Sequence, residues 1–204
     1  MEKKNAVSDD DPLLVQQVLN GDRNAFGLII RKTERMVAQI VFKMVRNEED
    51  CKDLAQDIYL KVFHNLPRFR FQAKLSTWIA QIAYNTCLNF LEKKKVTLIE
   101  IEFGGENSME DKLESMGNKH SGFYSNEIES LIHGKELSKL LEEEINRLSP
   151  IYRTLITLYH TEEMSYSQIA EITQLPEGTV KNYLFRARKA MKENLNSKFK
   201  RNEL

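Results

Sequence analysis

Apolar residues along most of this chain recur at three- and four-residue steps and almost nowhere alternate singly with polar ones. That periodicity fits α-helices with one buried face and leaves little material for a sheet. Residues 12–19 read as a short helix with Leu14, Val15, Val18 and Leu19 apolar, stopped by Asn20-Gly21. Asp22 is placed to cap a longer helix over 23–45, whose buried stripe is Phe26, Ile29, Ile30, Val37, Ile40, Val41 and Met44. A third helix, 49–66, repeats the pattern with Leu54, Ile58, Val62 and Leu66, and Pro67 ends it. After the polar-aromatic stretch 68–75, Ser76 reads as the cap of a fourth helix over 77–95, with Ile79, Ile82, Ala83, Leu88 and Leu91 along one side. Four such helices predict a bundle.

Residues 96–126 differ. The start of this stretch, 96–103, could pair weakly as a strand, and the remainder is polar, acidic and rich in Gly and Ser, as expected of a flexible linker. Helical periodicity resumes over 126–147 with Ile128, Leu131, Leu137, Leu141 and Ile145. Ser149-Pro150 then supplies a cap followed by proline at the first position of a helix running to about residue 160. The division expected is 1–95, 96–126 and 127–204.

Thirty basic and thirty acidic side chains cancel over the whole chain, but not locally. Residues 60–95 hold seven basic groups against one acid, Glu92, and 174–204 hold eight against three. The intervening 96–144 hold four basic and twelve acidic. Local field rather than net charge steers a polyanion, so two cationic blocks around an acidic middle keep a nucleic-acid partner in play. Other classes fit poorly. No apolar run approaches the ~20 residues needed to span a bilayer, and the first residues lack the apolar core of a signal peptide. Cys51 and Cys87 are too few for a disulfide framework or a zinc site, and reduced thiols are expected. The four His (His64, His120, His133, His160) are scattered, and no glycine-rich phosphate loop occurs, so neither catalysis nor a cofactor nor a small-molecule substrate is indicated.

The C-terminal block is the more specific. Ser165 and Gln168 fit a capping box opening a short helix over 166–173, and Gln174-Leu175-Pro176 makes a tight turn. A second helix from Glu177 to about residue 198 keeps Val180, Leu184, Ala187, Met191 and Leu195 on one side. Its other side carries Thr179, Asn182, Arg186 and Lys189, flanked by Lys181 and Arg188. Short helix, tight turn and longer basic helix is a helix-turn-helix pattern. In that geometry Thr179, Lys181 and Asn182 are placed for base edges, and Arg186, Arg188 and Lys189 for phosphates. Phe185 falls toward the polar side, for packing on a neighbouring helix or for a thymine methyl.

The series Asp53-Leu54-Ala55-Gln56-Asp57-Ile58, Leu66-Pro67-Arg68-Phe69, Leu75-Ser76-Thr77-Trp78-Ile79, Ile82-Ala83-Tyr84-Asn85 and the terminal Lys93-Lys94-Lys95 strongly resembles region 2 of bacterial sigma factors. Ile145-Asn146-Arg147-Leu148-Ser149-Pro150 through Met191, including Glu177-Gly178-Thr179-Val180-Lys181 and Phe185-Arg186-Ala187-Arg188, resembles their region 4. The order and the short linker resemble the extracytoplasmic-function (ECF) group.

That resemblance implies an all-α protein with an N-terminal four-helix region 2 bundle, a flexible acidic linker and a C-terminal helix-turn-helix domain. It implies binding to core RNA polymerase, at the clamp helices of the largest subunit and at the flap, and to promoter DNA, in the bacterial cytoplasm at the nucleoid. It also implies an anti-sigma partner. Asp53, Gln56, Asp57 and Lys61 share a polar side of the third helix and would dock on the clamp. The loop before the fourth helix would capture a flipped base of the −10 element, a role carried onto Phe71, Lys74, Ser76, Thr77, Gln81 and Asn85. Cationic grooves with aromatic faces suit single strands, each stacked base contributing about 1–3 kcal/mol. Phe69 and Trp78 read as core instead, and Tyr59 stands where the family usually has Phe. The rival reading is a stand-alone helix-turn-helix regulator with an N-terminal dimerisation bundle.

Overall fold

The Asp22 carboxylate accepts hydrogen bonds from the backbone N–H of Asn24 and Ala25 at 2.8 and 3.3 Å, so the predicted cap forms. It separates α1 (Asp11–Leu19) from α2 (Arg23–Met44), and Gly21, at φ +94°, makes the turn that an L side chain would strain. α3 (Glu48–Asn65) is capped by Asn47, whose side chain accepts from the Asp50 N–H at 2.9 Å, and Glu48, Glu49 and Asp50 sit at the positive end of its dipole. Pro67 lies in a 3₁₀ turn (Leu66–Arg68), and α4 runs Leu75–Glu102. The C-terminal half holds α5 (Gly134–Arg147), α6 (Pro150–His160), α7 (Tyr166–Thr173) and α8 (Glu177–Asn202). This computed structural model describes residues 11–102 and 134–202, with side chains over 11–95 and 139–197, and no strand occurs among them.

Three expectations are corrected. Ser76 is not the cap of α4: the helix opens one residue before it, and the Trp78 N–H already bonds the Lys74 carbonyl at 3.1 Å, so Ser76 lies inside the first turn. The stretch 96–102 is helix, not strand. It extends α4, with no Gly or Pro to stop it before Gly104, and helical propagation overrides the β preference of its branched residues. Ser149 stands at the start of α6 but makes no side-chain capping bond; its carbonyl instead accepts from Arg153 N–H at 3.0 Å. The rest of the proposed linker and the start of the 126–147 helix lie outside the described residues.

The core follows the apolar stripes. Ile29, Val37, Ile40, Val41, Met44, Ile58, Val62, Ile79, Ala83 and Cys87 are buried in the N-terminal bundle, and Leu155, Leu158, Ile169, Ile172, Val180, Leu184 and Ala187 in the C-terminal domain. Each aliphatic side chain so placed contributes roughly 1.5–3 kcal/mol of burial. Both cysteines are free and buried.

The two halves also pack on each other, which periodicity does not foretell: α2 lies against α6, and α4 against α7. Arg153 of α6 is 3 % exposed and donates to the carbonyls of Lys43 and Asn146, in the last turns of α2 and α5. Arg46 donates to the same Asn146 carbonyl at 3.3 Å. The negative ends of two helix dipoles thus converge on a buried guanidinium. Burial, and then the charge of Arg46, lower the Arg153 pKa to about 10, which leaves it a cation at neutral pH. At the rim, Lys43 meets Glu142 at 3.5 Å and Arg35 meets Glu162 at 3.8 Å.

Candidate polymerase and promoter interfaces

With Leu54, Ile58 and Val62 buried, α3 turns Asp53 and Gln56 fully outward and leaves Asp57 and Lys61 half-exposed. Lys61 pairs with Asp57 at 2.7 Å and donates to Thr86 Oγ1 at 3.3 Å, so it leans toward α4 as well as toward solvent. Two apolar residues extend this face that charge reasoning missed. Leu60, at i+3 and i+4 from Asp57 and Gln56, is 59 % exposed, and Phe63 is exposed with its ring edge-on to Phe26 at 5.1 Å. The step from Asp53 to Gln56, Asp57 and Leu60 was available as a signal, but Leu60 reads as core when polarity alone sorts the helix. Tyr59 packs its ring and places its hydroxyl 3.1 Å from Thr33 Oγ1; burial raises its pKa. The aromatic substitution is therefore accommodated.

The loop before α4 is built on Phe69, which is buried, as expected, between Phe71 at 4.7 Å and a half-buried Trp78 at 4.9 Å. Phe71 stands at φ +56°, a region that bulky residues avoid, with its ring partly exposed at the loop tip. Lys74 and Ser76 line a cavity of about 390 Å³ with Asp11, Lys32 and Thr33. Asp11, unnoticed in the sequence, is almost fully buried there, and no hydrogen bond or ion pair joins its carboxylate to another described residue. Further along α4, Thr77 is buried and Gln81 and Asn85 are half-buried. Of the −10 candidates, only Phe71 is on open surface in this arrangement.

The helix-turn-helix forms as its residues dictate. Ser165 Oγ accepts from Gln168 N–H at 3.3 Å while Gln168 Oε1 accepts from Ser165 N–H at 2.9 Å, a reciprocal capping box. Gln174, at φ +58°, turns the chain into α8. Because Val180, Leu184 and Ala187 are wholly buried, Lys181, Asn182, Arg186, Arg188 and Lys189 are exposed and Thr179 half-exposed. The predicted −35 set is therefore brought together on one face. Phe185 joins it at 64 % exposed, so its ring is not buried against a neighbouring helix.

Beside this face Tyr159 and Tyr166 stack at 4.9 Å. Arg188 lies over Tyr159 at 5.0 Å and donates to His160 Nε2 at 3.3 Å, and Lys181 lies over Tyr166 at 5.4 Å while pairing with Glu177 at 2.7 Å. The Tyr159 hydroxyl, then the Arg188 guanidinium, lower the Tyr166 pKa. Burial, then Arg188, lower that of His160. Two of the candidate −35 cations are thus held over aromatic faces contributed from α6 and α7.

Two family models match separate parts of the chain. The model of sigma-70 region 2 matches residues 29–97, and that of sigma-70, region 4 matches residues 138–191. The RNA polymerase sigma-H factor of Pseudomonas aeruginosa is 31% identical over 193 residues, covering 91% of this chain and 93% of its own. The ECF RNA polymerase sigma-E factor of Escherichia coli (strain K12) is 32% identical over 191 residues, covering 89% and 92%.

The chain belongs to the ECF sigma-factor family.

Two solved structures share the fold of this sigma factor. CnrH in complex with the cytosolic domain of CnrY matches with a TM-score of 0.62 at 18% identity, over 93% of this chain and 99% of that one. The sigma factor RpoE in complex with the anti-sigma factor NepR from Bartonella quintana matches with 0.60 at 20% identity, over 84% and 96%. Relatives that align along nearly the whole length of both chains set aside the rival reading, in which the N-terminal bundle serves only for dimerisation. Among the described residues no group of His, Cys, Asp or Glu could hold a metal, and no helix is long and apolar enough to cross a membrane.

Proposed function

We propose that this sigma factor docks on core RNA polymerase through Asp53, Gln56 and Asp57, with Leu60 and Phe63 supplying the apolar part of the contact and Lys61 holding the acids in place. Exposed acids would meet basic clamp residues and set orientation and on-rate, and apolar anchors would supply most of the affinity. The −35 duplex is read by α8, with Thr179, Lys181 and Asn182 at base edges and Arg186, Arg188 and Lys189 on phosphates. The −10 strand is held by Phe71 and the Lys74–Ser76 cavity, with Thr77, Gln81 and Asn85 of α4 serving once they are uncovered. RNA synthesis itself belongs to the polymerase.

The observation that carries this reading is the segregation of surfaces within one chain: an exposed acidic face on α3, and a capped basic helix-turn-helix at the other end. One structural neighbour is a sigma factor in complex with an anti-sigma factor, and an anti-sigma partner is proposed here too. The site of action proposed is the bacterial cytoplasm, at the nucleoid.

The test is a titration of labelled chain with core polymerase. Asp53→Ala with Asp57→Ala should weaken core binding and leave the affinity for a −35 duplex unchanged. Equal loss in both assays would contradict the division of labour.

A further inference from the structure

Lys181 and Arg188 stand seven residues apart on α8, two turns or about 10 Å along one stripe. That stripe borders the exposed face of Asn182, Phe185, Arg186 and Lys189, on the side where α8 meets the aromatic rings of α6 and α7. The cations of this helix differ in what holds them. Lys181 pairs with Glu177 at 2.7 Å and Lys189 with Glu193 at 3.9 Å, so each shares its charge with a carboxylate. No carboxylate among the described residues pairs with Arg188. Its partners are neutral: the guanidinium lies 5.0 Å over the Tyr159 ring and donates from Nε to His160 Nε2 at 3.3 Å. The Tyr159 ring is fixed in turn, stacked on Tyr166 at 4.9 Å and 12° from parallel, with His160 edge-on to it at 4.9 Å. Burial, and then Arg188, lower the His160 pKa, which keeps the imidazole neutral and Nε2 an acceptor at neutral pH. Bonding through Nε uses one of five N–H donors and leaves the Nη pair, whose fork matches a phosphate, for another acceptor.

We infer that Tyr159 and His160, the last two residues of α6, are positioning residues for promoter recognition, holding the Arg188 guanidinium ordered and uncompensated at the edge of α8 before DNA arrives. The inference rests on the reading of α8 as the −35 helix. An exposed arginine ordinarily samples many rotamers, and binding then costs the entropy of ordering it. Tyr159 removes part of that cost by its face and His160 by its acceptor nitrogen. Both are neutral, so they raise affinity without adding charge, and the salt dependence of binding stays that of Arg188 itself. A carboxylate in their place would order the side chain too, but would have to be given up to the phosphate. Neither residue belongs to the two helices of the helix-turn-helix, which is why that motif by itself does not mark them.

Anisotropy titrations of the full chain with a −35 duplex recovered by selection, repeated over a range of salt, test this. Arg188→Gln should weaken binding and reduce the slope of log affinity against log salt by about one. Tyr159→Leu should weaken binding roughly 3- to 10-fold, the ordering cost of one long side chain, with the slope kept at the wild-type value. Tyr159→Phe retains the face and should bind within about twofold of wild type. His160→Leu should lose about threefold, the net worth of one exposed hydrogen bond, and His160→Gln, which keeps an acceptor, should recover it. His160 is exposed, so this second pair of variants tests the role even where Tyr159→Leu lowers the melting midpoint. In the Arg188→Gln background, Tyr159→Leu and His160→Leu should have no further effect, because both act through that guanidinium. Losses that add in that background would overturn the positioning role, since ring and imidazole would then be touching DNA themselves. Wild-type affinity in both Tyr159→Leu and His160→Leu, with binding weakened by Arg188→Gln, would overturn it as well. If Asn182→Ala, Arg188→Gln and Lys189→Ala all bind the duplex as wild type does, the assignment of α8 itself has failed.

Discussion

Leu184 and Phe185 are neighbours on α8 with opposite surroundings, and replacing each by Ala separates folding from recognition. Leu184 is wholly buried. Its truncation removes transfer energy and leaves a cavity, costing about 2–5 kcal/mol of stability. Phe185 is 64 % exposed, so about a third of its burial is realised in the free protein. Full burial of a Phe is worth roughly 1.5–3 kcal/mol, so about 1–2 kcal/mol remains to be gained against DNA. Phe185→Ala should therefore leave the melting curve within about 0.5 kcal/mol of wild type. It should weaken binding to a selected −35 duplex by about 5- to 30-fold. Replacing thymine by uracil in that duplex should reproduce part of the loss in wild type and none in the variant. Fluorescence anisotropy with chemical denaturation as the companion assay decides it. A Phe185→Ala protein that loses stability like Leu184→Ala, or that binds DNA as wild type does, would refute the outward assignment of this face.

Replacing Asp53 and Asp57 together by Ala should weaken core binding by about tenfold or more, since contacts to charged groups contribute roughly 1.5–3 kcal/mol each; equilibrium titration reads it. Arg186→Ala or Lys189→Ala should weaken binding across duplex sequences and reduce the slope of log affinity against log salt by about one, measured from low to physiological salt. Alkaline pH should destabilise the fold. Burial pushes the Cys87 thiol and the Tyr84 hydroxyl up to about 12, from 9.0 and 10.0. Both groups release protons more readily unfolded, so their contribution is complete below pH 9 and is lost as pH rises toward 12. Denaturant melts at pH 8 and pH 10 should differ by about 1 kcal/mol on account of Cys87, and Cys87→Ala should remove that part of the slope.

Much of this architecture was legible because helical periodicity, caps and turn residues act locally. Asp22, the Ser165–Gln168 box and the Val180–Leu184–Ala187 stripe each do what their spacing implies. The exposed basic face of α8 was legible for the same reason: burying one side of the helix leaves the other side exposed. The misses concern context. Ser76 has the chemistry of a cap, but the backbone entering from Lys74 starts the helix before it. Leu60 and Phe63 are apolar residues on a surface, and composition assigns such residues to the core. Asp11 meets the Lys74–Ser76 cavity through tertiary packing across more than sixty positions of sequence, beyond the reach of any local pattern. The burial of Thr77 and the bond from Arg153 to the α2 carbonyl likewise depend on how the two halves meet.

The most direct test of the central claim is promoter-dependent transcription by purified core polymerase with and without this chain, on templates recovered by selection with the reconstituted enzyme. Discrete transcripts from one start site should appear only when the chain is present, and should diminish when Asp53 and Asp57 are both Ala. A chain that binds those duplexes yet neither associates with core polymerase nor yields a defined transcript would contradict the account.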